Sequence, residues 1–98
     1  MNEEIKRLSD NVKRIEENRI LYKRYTADLQ KLKAQEEKET DPIQRRDLYY
    51  RRAAKEIALE ELRHDSQSIL GAAREEIRKL DEELEAMAAD SKQETKAA

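Results

Sequence analysis

The sequence gives a long helix only one place to break. Its single proline, Pro42, follows Asp41, and its single glycine, Gly71, lies far away. Proline disfavours a helical conformation in the residue before it, whereas Asp as the cap and Pro in the first helical position favour a new helix. Gln44 is placed to complete a capping box with Asp41. We predict a helix over about 2–39, a turn at 40–42 and a second helix over about 42–89.

The composition favours the same all-α fold class. Charged residues make up 45% of the chain and hydrophobic residues 37%, with no Trp, Phe or Cys. Such a composition with helical periodicity is typical of long helices and coiled coils. At about 25 cal/mol per Å² of buried apolar surface, so few large apolar side chains cannot offset the ordering of a compact domain. We therefore expect a partner or a second copy to complete the core.

The periodicity on both sides of the turn predicts how the helices pair. A stripe from Ala54 to Met87 repeats at a mean step of about 3.67 residues, which predicts nearly straight packing. If the helices run antiparallel, residues whose numbers sum to about 81 lie level, and the two apolar stripes coincide. We predict a coiled-coil-like, antiparallel two-helix hairpin over residues 1–90 and a flexible tail at 90–98. The predicted stripe of the first helix is Ile5, Leu8, Val12, Ile15, Tyr22, Tyr25, Leu29 and Leu32.

Two apolar sets have no intrachain partner in this hairpin. One lies where the longer second helix outruns the first, and the other follows an eleven-residue spacing along one flank of the second helix. Covering both requires a four-helix bundle with another hairpin, so we predict that both sets bind a partner. The overhang is Leu80, Leu84 and Met87, and the flank is Leu48, Leu59 and Leu70.

A basic and aromatic cluster opens the second helix. Because the chain has a formal net charge of −2, we expect this cluster to dock an acidic protein and expect no nucleic-acid binding. The alternative is a solvated helix start with Tyr50 in the core. The predicted docking residues are Arg45, Arg46, Tyr49 and Arg52.

No residue pattern indicates catalysis. The one histidine, His64, lies on a charged helix face, and a single glycine cannot form a Gly-rich phosphate loop. We predict no enzyme activity, no cofactor and no metal site. The longest apolar runs are short, and the first residues carry no apolar signal core. We therefore predict a cytoplasmic protein without membrane insertion.

Three short segments follow a pattern found in one group of helical proteins. They are Glu-Glu-Asn-Arg at 16–19, Arg-Arg-Asp-Leu-Tyr-Tyr at 45–50 and Leu-Asp-Glu-Glu-Leu at 80–84. In these segments the chain resembles the small α-helical accessory proteins encoded beside LXG toxins in Gram-positive type VII secretion systems. It also resembles the WXG-type hairpins of those systems, but has Thr-Asp-Pro-Ile at 40–43 in place of their Trp-x-Gly turn. It lacks their Tyr-x-x-x-Asp/Glu export signature as well.

The resemblance implies a targeting factor, or chaperone-like adaptor. Such a protein binds the helical N-terminal domain of an LXG toxin together with a second small helical protein, and either stays in the cytoplasm or is exported with its partner. Two alternatives stay open from the residues themselves. One is a self-associating coiled-coil scaffold that forms a homodimer, and the other is a small acidic phage-type inhibitor that occupies a basic groove of another protein.

Overall fold

The chain forms two long helices joined by a short turn. A computed structural model describes residues 2–97, with side chains through residue 90. Helix α1 spans Asn2–Lys38 and helix α2 spans Pro42–Ala97. The two helices pack against each other along α1, so the predicted all-α hairpin is confirmed.

Helix α2 continues past its predicted end at 89 and reaches Ala97. No proline or glycine follows Gly71, so nothing in the sequence stops the helix earlier. The predicted flexible tail at 90–98 stays a prediction, since the side chains from residue 91 onward lie outside the described residues.

The turn is closed by side-chain acceptors for backbone N–H groups. Asp41 Oδ1 accepts a hydrogen bond from Ile43 N at 3.1 Å, which is the helix cap expected at this position. The Asp41 backbone N–H donates to Glu39 Oε1 at 3.0 Å. Glu39 therefore takes the donor that was assigned to Gln44, and the prediction of a capping box with Gln44 is wrong. The glutamate is closer, because it already lies within the turn.

The faces that α1 and α2 turn toward each other repeat every seven residues, except that Leu21 of α1 stands where the repeat would place Tyr22. We call these inward positions the seam, and their spacing is that of a coiled coil. The predicted step of about 3.67 residues in α2 is wrong, because it counted Ala54, Ile77 and Leu84 as core although they are exposed. In α1 the seam is Glu4, Leu8, Asn11, Ile15, Asn18, Leu21, Tyr25, Leu29, Leu32 and Glu36. In α2 it is Leu48, Arg52, Lys55, Leu59, Leu62, Ser66, Ile69, Ala73, Glu76, Leu80 and Glu83.

The predicted stripe of α1 is correct only in part. Leu8 and Ile15 lie in the seam, but Ile5 and Val12 are 49% and 55% exposed. Tyr22 is exposed as well. Residues at either face of this helix recur at three- and four-residue spacing, so periodicity alone does not choose between them. The choice depends on what α2 offers opposite.

A polar layer sets the level at which the helices meet. Asn18 Nδ2 donates to Asp65 Oδ2 at 2.8 Å and to Ser66 Oγ at 3.2 Å. Asn18 and Ser66 thus lie level, and residue pairs summing to about 84 face each other, where the sequence predicted about 81. A polar residue within an apolar seam specifies register at some cost in stability.

The core of the hairpin is thin. Among the described side chains only Ile69 and Ala73 are buried, each 4% exposed, and α1 contributes none. The molecule is a rod with principal extents of 85 × 17 × 15 Å. Two helices side by side leave most of each helix in water, so this hairpin has a large surface available for further helices.

Candidate partner-binding surface

Five exposed apolar side chains share one side of the hairpin. Each directly follows a seam residue in the sequence, and in an antiparallel helix pair such positions of both helices lie on the same side. Their exposed fractions range from 40% for Leu70 to 56% for Leu84. We call this surface the apolar flank. It consists of Ile5, Val12, Leu70, Ile77 and Leu84.

The opposite side of the hairpin is closed by charged groups. Arg14 lies 3.5 Å from Asp65, and Lys55 lies 3.7 Å from Asp28, in both cases across the two helices. The Lys55 ammonium also sits 4.3 Å from the centroid of the Tyr25 ring, a cation–π contact. The two sides therefore differ in chemistry, since one carries ion pairs and the other exposes aliphatic side chains.

The end of α2 passes the start of α1, as the sequence predicted. At the observed register Asn2 lies level with about residue 82. Leu80 is half-buried in the seam, level with about Glu4, so the prediction that it has no intrachain partner is wrong. Leu84 and Met87 lie beyond the start of α1 and are 56% and 57% exposed. Leu84 belongs to both the overhang and the apolar flank, so the two form one continuous surface.

The three leucines at eleven-residue spacing, predicted to form one exposed surface, do not share a side of α2. Leu48 and Leu59 are half-buried seam residues that face α1, and Leu70 is exposed on the apolar flank. The eleven-residue spacing fails because the seam follows a seven-residue repeat, on which Leu48 and Leu59 fall and Leu70 does not. Of the three, Leu70 is the one that offers a partner an exposed surface.

The start of α2 carries an aromatic and basic cluster close to the turn. Tyr49 and Tyr50 meet edge to face, with ring centroids 5.6 Å apart and an interplanar angle of 69°. Arg46 donates to Tyr50 Oη at 3.2 Å and lies over the same ring. We call Ile43, Arg46, Tyr49 and Tyr50 the tip cluster, and all four are exposed. The alternative that placed Tyr50 in the core is wrong, because residue 50 lies outside the seam.

Arg52, which the sequence placed in the docking cluster, is half-buried between the helices. Its guanidinium donates to Glu36 Oε2 of α1 at 2.5 Å and to Glu56 Oε1 at 3.0 Å. It also packs 5.1 Å from the centroid of the Tyr49 ring. The hydrogen bond from Arg52 lowers the pKa of the Glu36 carboxyl, and the same bond raises the pKa of Arg52. Arg52 thus links α2 to α1 through an ion pair with Glu36, whereas Arg45 is exposed.

His64 is exposed, with its Nε2 3.1 Å from Glu60 Oε1. No group of three or more His, Cys, Asp or Glu side chains in the described part could hold a metal ion. Neither helix, over those same residues, has a stretch long and apolar enough to cross a membrane.

Sequence reasoning missed Ile5, Val12 and Ile77 as surface residues, because it assigned them to the hairpin core. A signal was present, since Ile5 and Val12 are seven apart and so are Leu70, Ile77 and Leu84. A strict seven-residue repeat beside a seam that contains Asn and Glu indicates a second interface.

No protein-family model, curated protein or solved structure matches this chain. The candidate binding surface is therefore identified from the residues of this chain alone.

Proposed function

We propose that this chain is a non-enzymatic adaptor that binds another helical protein by completing a helical bundle with it. The observation that carries the proposal is the continuous surface made by the apolar flank and the overhang. Patches of this kind on a protein mark interaction sites. An amphipathic partner helix laid against Ile77, Leu84 and Met87 would remove these side chains from water, each contributing about 1 kcal/mol when half of its surface is newly buried.

The resemblance to accessory proteins of LXG toxins supplies the identity of the partner in this proposal. The adaptor binds the helical N-terminal domain of such a toxin, together with a second small helical protein, and targets the toxin to the type VII secretion system. The third segment that carries the resemblance, residues 80–84, lies at the overhang. The second segment, residues 45–50, includes most of the tip cluster.

The partner proposal has a direct test. The chain is co-expressed with the helical N-terminal domain of an LXG toxin and the second small helical protein, and the complex is isolated through a tag on the toxin domain. We expect co-purification of the wild-type chain. Leu84→Asp should abolish it, because a partner seam would then bury an unpaired carboxylate.

Ile20→Asp is the matched control, because Ile20 is also 56% exposed but lies outside the seam and the apolar flank. Co-purification of Leu84→Asp at the wild-type level would contradict the assigned surface. Failure of the wild-type chain to bind any toxin domain encoded beside it would contradict the adaptor function.

A further inference from the structure

The second half of α2 carries a second apolar seam. Its residues alternate steps of three and four, which is the spacing of a coiled-coil interface. Ala73 and Leu80 also belong to the seam with α1, and the other four members are exposed. We call this set the outer seam. It consists of Leu70, Ala73, Ile77, Leu80, Leu84 and Met87.

The outer seam is complementary to itself in the antiparallel direction. If two copies of α2 are paired so that residue numbers sum to 157, every outer-seam residue meets another outer-seam residue of the second copy. Ile77 then lies level with Leu80, and Ala73 with Leu84. Ala73 is 4% exposed because it packs against α1, so Leu84 of the second copy rests at the edge of the seam there. The remaining pair is Leu70 with Met87.

The charges beside the outer seam agree with the same register. Arg74 and Asp81 are exposed and make no ion pair among the described residues. Their neighbour Arg78 is already engaged by Glu75 at 2.5 Å and by Glu82. At this register Arg74 of one copy and Asp81 of the other lie on the same side of the interface, offset by two residues or about 3 Å along the axis, so their long side chains reach each other. The two-fold axis generates the pair twice.

We propose that a second copy of this chain occupies the outer seam when no other partner is present, which gives an antiparallel homodimer with its two-fold axis between Ile77 and Leu80. The apolar flank residues of α1 adjoin this axis, since Ile5 lies level with about residue 79. The proposal rests on the adaptor function only in that both use the overhang: the adaptor's partner would have to displace the second copy.

The dimer is tested by the mass and length of the full chain in solution. Sedimentation equilibrium should give twice the mass of 11.6 kDa in a concentration-dependent manner. Small-angle scattering should give a maximum dimension of about 110 Å for two α2 helices overlapping at this register, at 1.5 Å per residue. The single hairpin is 85 Å long.

Charge exchange tests the register. Arg74→Asp or Asp81→Arg alone should weaken the dimer about tenfold or more, because each places like charges together twice. The double variant Arg74→Asp/Asp81→Arg should restore the dimer. Lys79→Asp is the control of equal charge change, since Lys79 lies on the face of α2 turned away from the outer seam, whereas Arg74 and Asp81 border it. Circular dichroism checks that every variant stays helical.

A wild-type chain that stays at the monomer mass at high concentration overturns the homodimer. A dimer that tolerates either single reversal, or that the double variant does not restore, overturns this register. Neither result affects the adaptor function, which is decided by co-purification with the toxin domain. Conversely, a chain that dimerises as described but binds no toxin domain supports the homodimer and contradicts the adaptor function.

Discussion

At the scale of single residues, three carboxylates stabilise the turn, the start of α2 and one contact between the helices. Asp41 caps α2, Glu39 accepts the Asp41 N–H, and Glu36 binds Arg52 across the helices. The first two are local and act on the backbone, while the third is a tertiary contact. This difference decides how each should respond to substitution.

Replacing the cap, Asp41→Ala, should destabilise the hairpin by about 1 kcal/mol, since the N–H of Ile43 loses its acceptor. Urea unfolding followed by circular dichroism measures the effect. Asp41→Asn is the matched control, because the Asn side chain keeps a capping oxygen and should stay near wild type. Equal losses from both substitutions would show that the carboxylate charge matters and the cap does not.

The Glu36–Arg52 contact predicts a pH dependence of stability. Because the native pKa of Glu36 lies below its ordinary value of 4.5, the native state favours the ionised carboxylate. The contact therefore stabilises the hairpin fully above pH ~4.5, and this contribution is lost as the pH falls through the lowered native pKa. The measurement is the difference in unfolding free energy between wild type and Glu36→Gln from pH 7 to pH 3.

We expect that difference to be largest at neutral pH and to shrink in acid. Glu37→Gln serves as the control, because Glu37 is exposed and makes no ion pair among the described residues. A wild-type advantage over Glu36→Gln that stays constant across the range would contradict the assignment.

At the scale of the helices, the seam combines leucines with polar residues at repeat positions. Asn11 and Asn18 both occupy the α1 seam, but among the described side chains only Asn18 donates hydrogen bonds across it, to Asp65 and Ser66. A seam built this way gives up apolar burial for a defined register. Replacing each asparagine by leucine therefore separates two effects: both variants gain apolar burial, but only the Asn18 variant loses hydrogen bonds across the seam.

Asn18→Leu should raise the urea midpoint and at the same time allow more than one association state, because the group that fixes the register is gone. Asn11→Leu should raise the midpoint without that second effect. Light scattering after size-exclusion chromatography distinguishes the two variants. A single species of wild-type mass for Asn18→Leu would show that Asn18 does not specify the register.

At the scale of the whole molecule, the hairpin is an 85 Å rod with two buried side chains among those described, so it has little core of its own. The large surface is the physical reason why both proposals invoke another helix. Ligands or partners that bind the folded state alone raise its apparent stability. The hairpin itself still has a defined pairing, set by the polar layer and by the ion pairs on one side.

This pairing is tested by a designed disulfide. The chain has no cysteine, so Asn18→Cys/Ser66→Cys introduces a single pair. In the wild type, Asn18 Nδ2 and Ser66 Oγ lie 3.2 Å apart. Oxidation should give an intrachain bond, faster migration on a non-reducing gel and a gain of about 2–4 kcal/mol in stability. Asn18→Cys/Ile57→Cys is the control, since Ile57 lies on the outer face of α2. Equal intrachain bonding in both variants would contradict the hairpin register.

The sequence alone determined the helical class, the break before Pro42 and the overhang of α2, because each follows from local backbone chemistry or from helix length. It did not determine which side of each helix turns inward. Ile5 and Leu8 both fit an apolar repeat, and so do Leu59 and Ile57, so the choice depends on contacts between residues far apart in the chain.

The tertiary structure decided that choice through the Asn18 layer and the cross-helix ion pairs. With these contacts, facing residues have numbers that sum to about 84, where the sequence predicted about 81. In this arrangement Ile5, Val12 and Ile77 are exposed. In the sequence, the residues of the apolar flank on α1 therefore looked like part of the hairpin core. Local propensity does not encode it, because a surface shared by two helices exists only once their rotation and level are fixed.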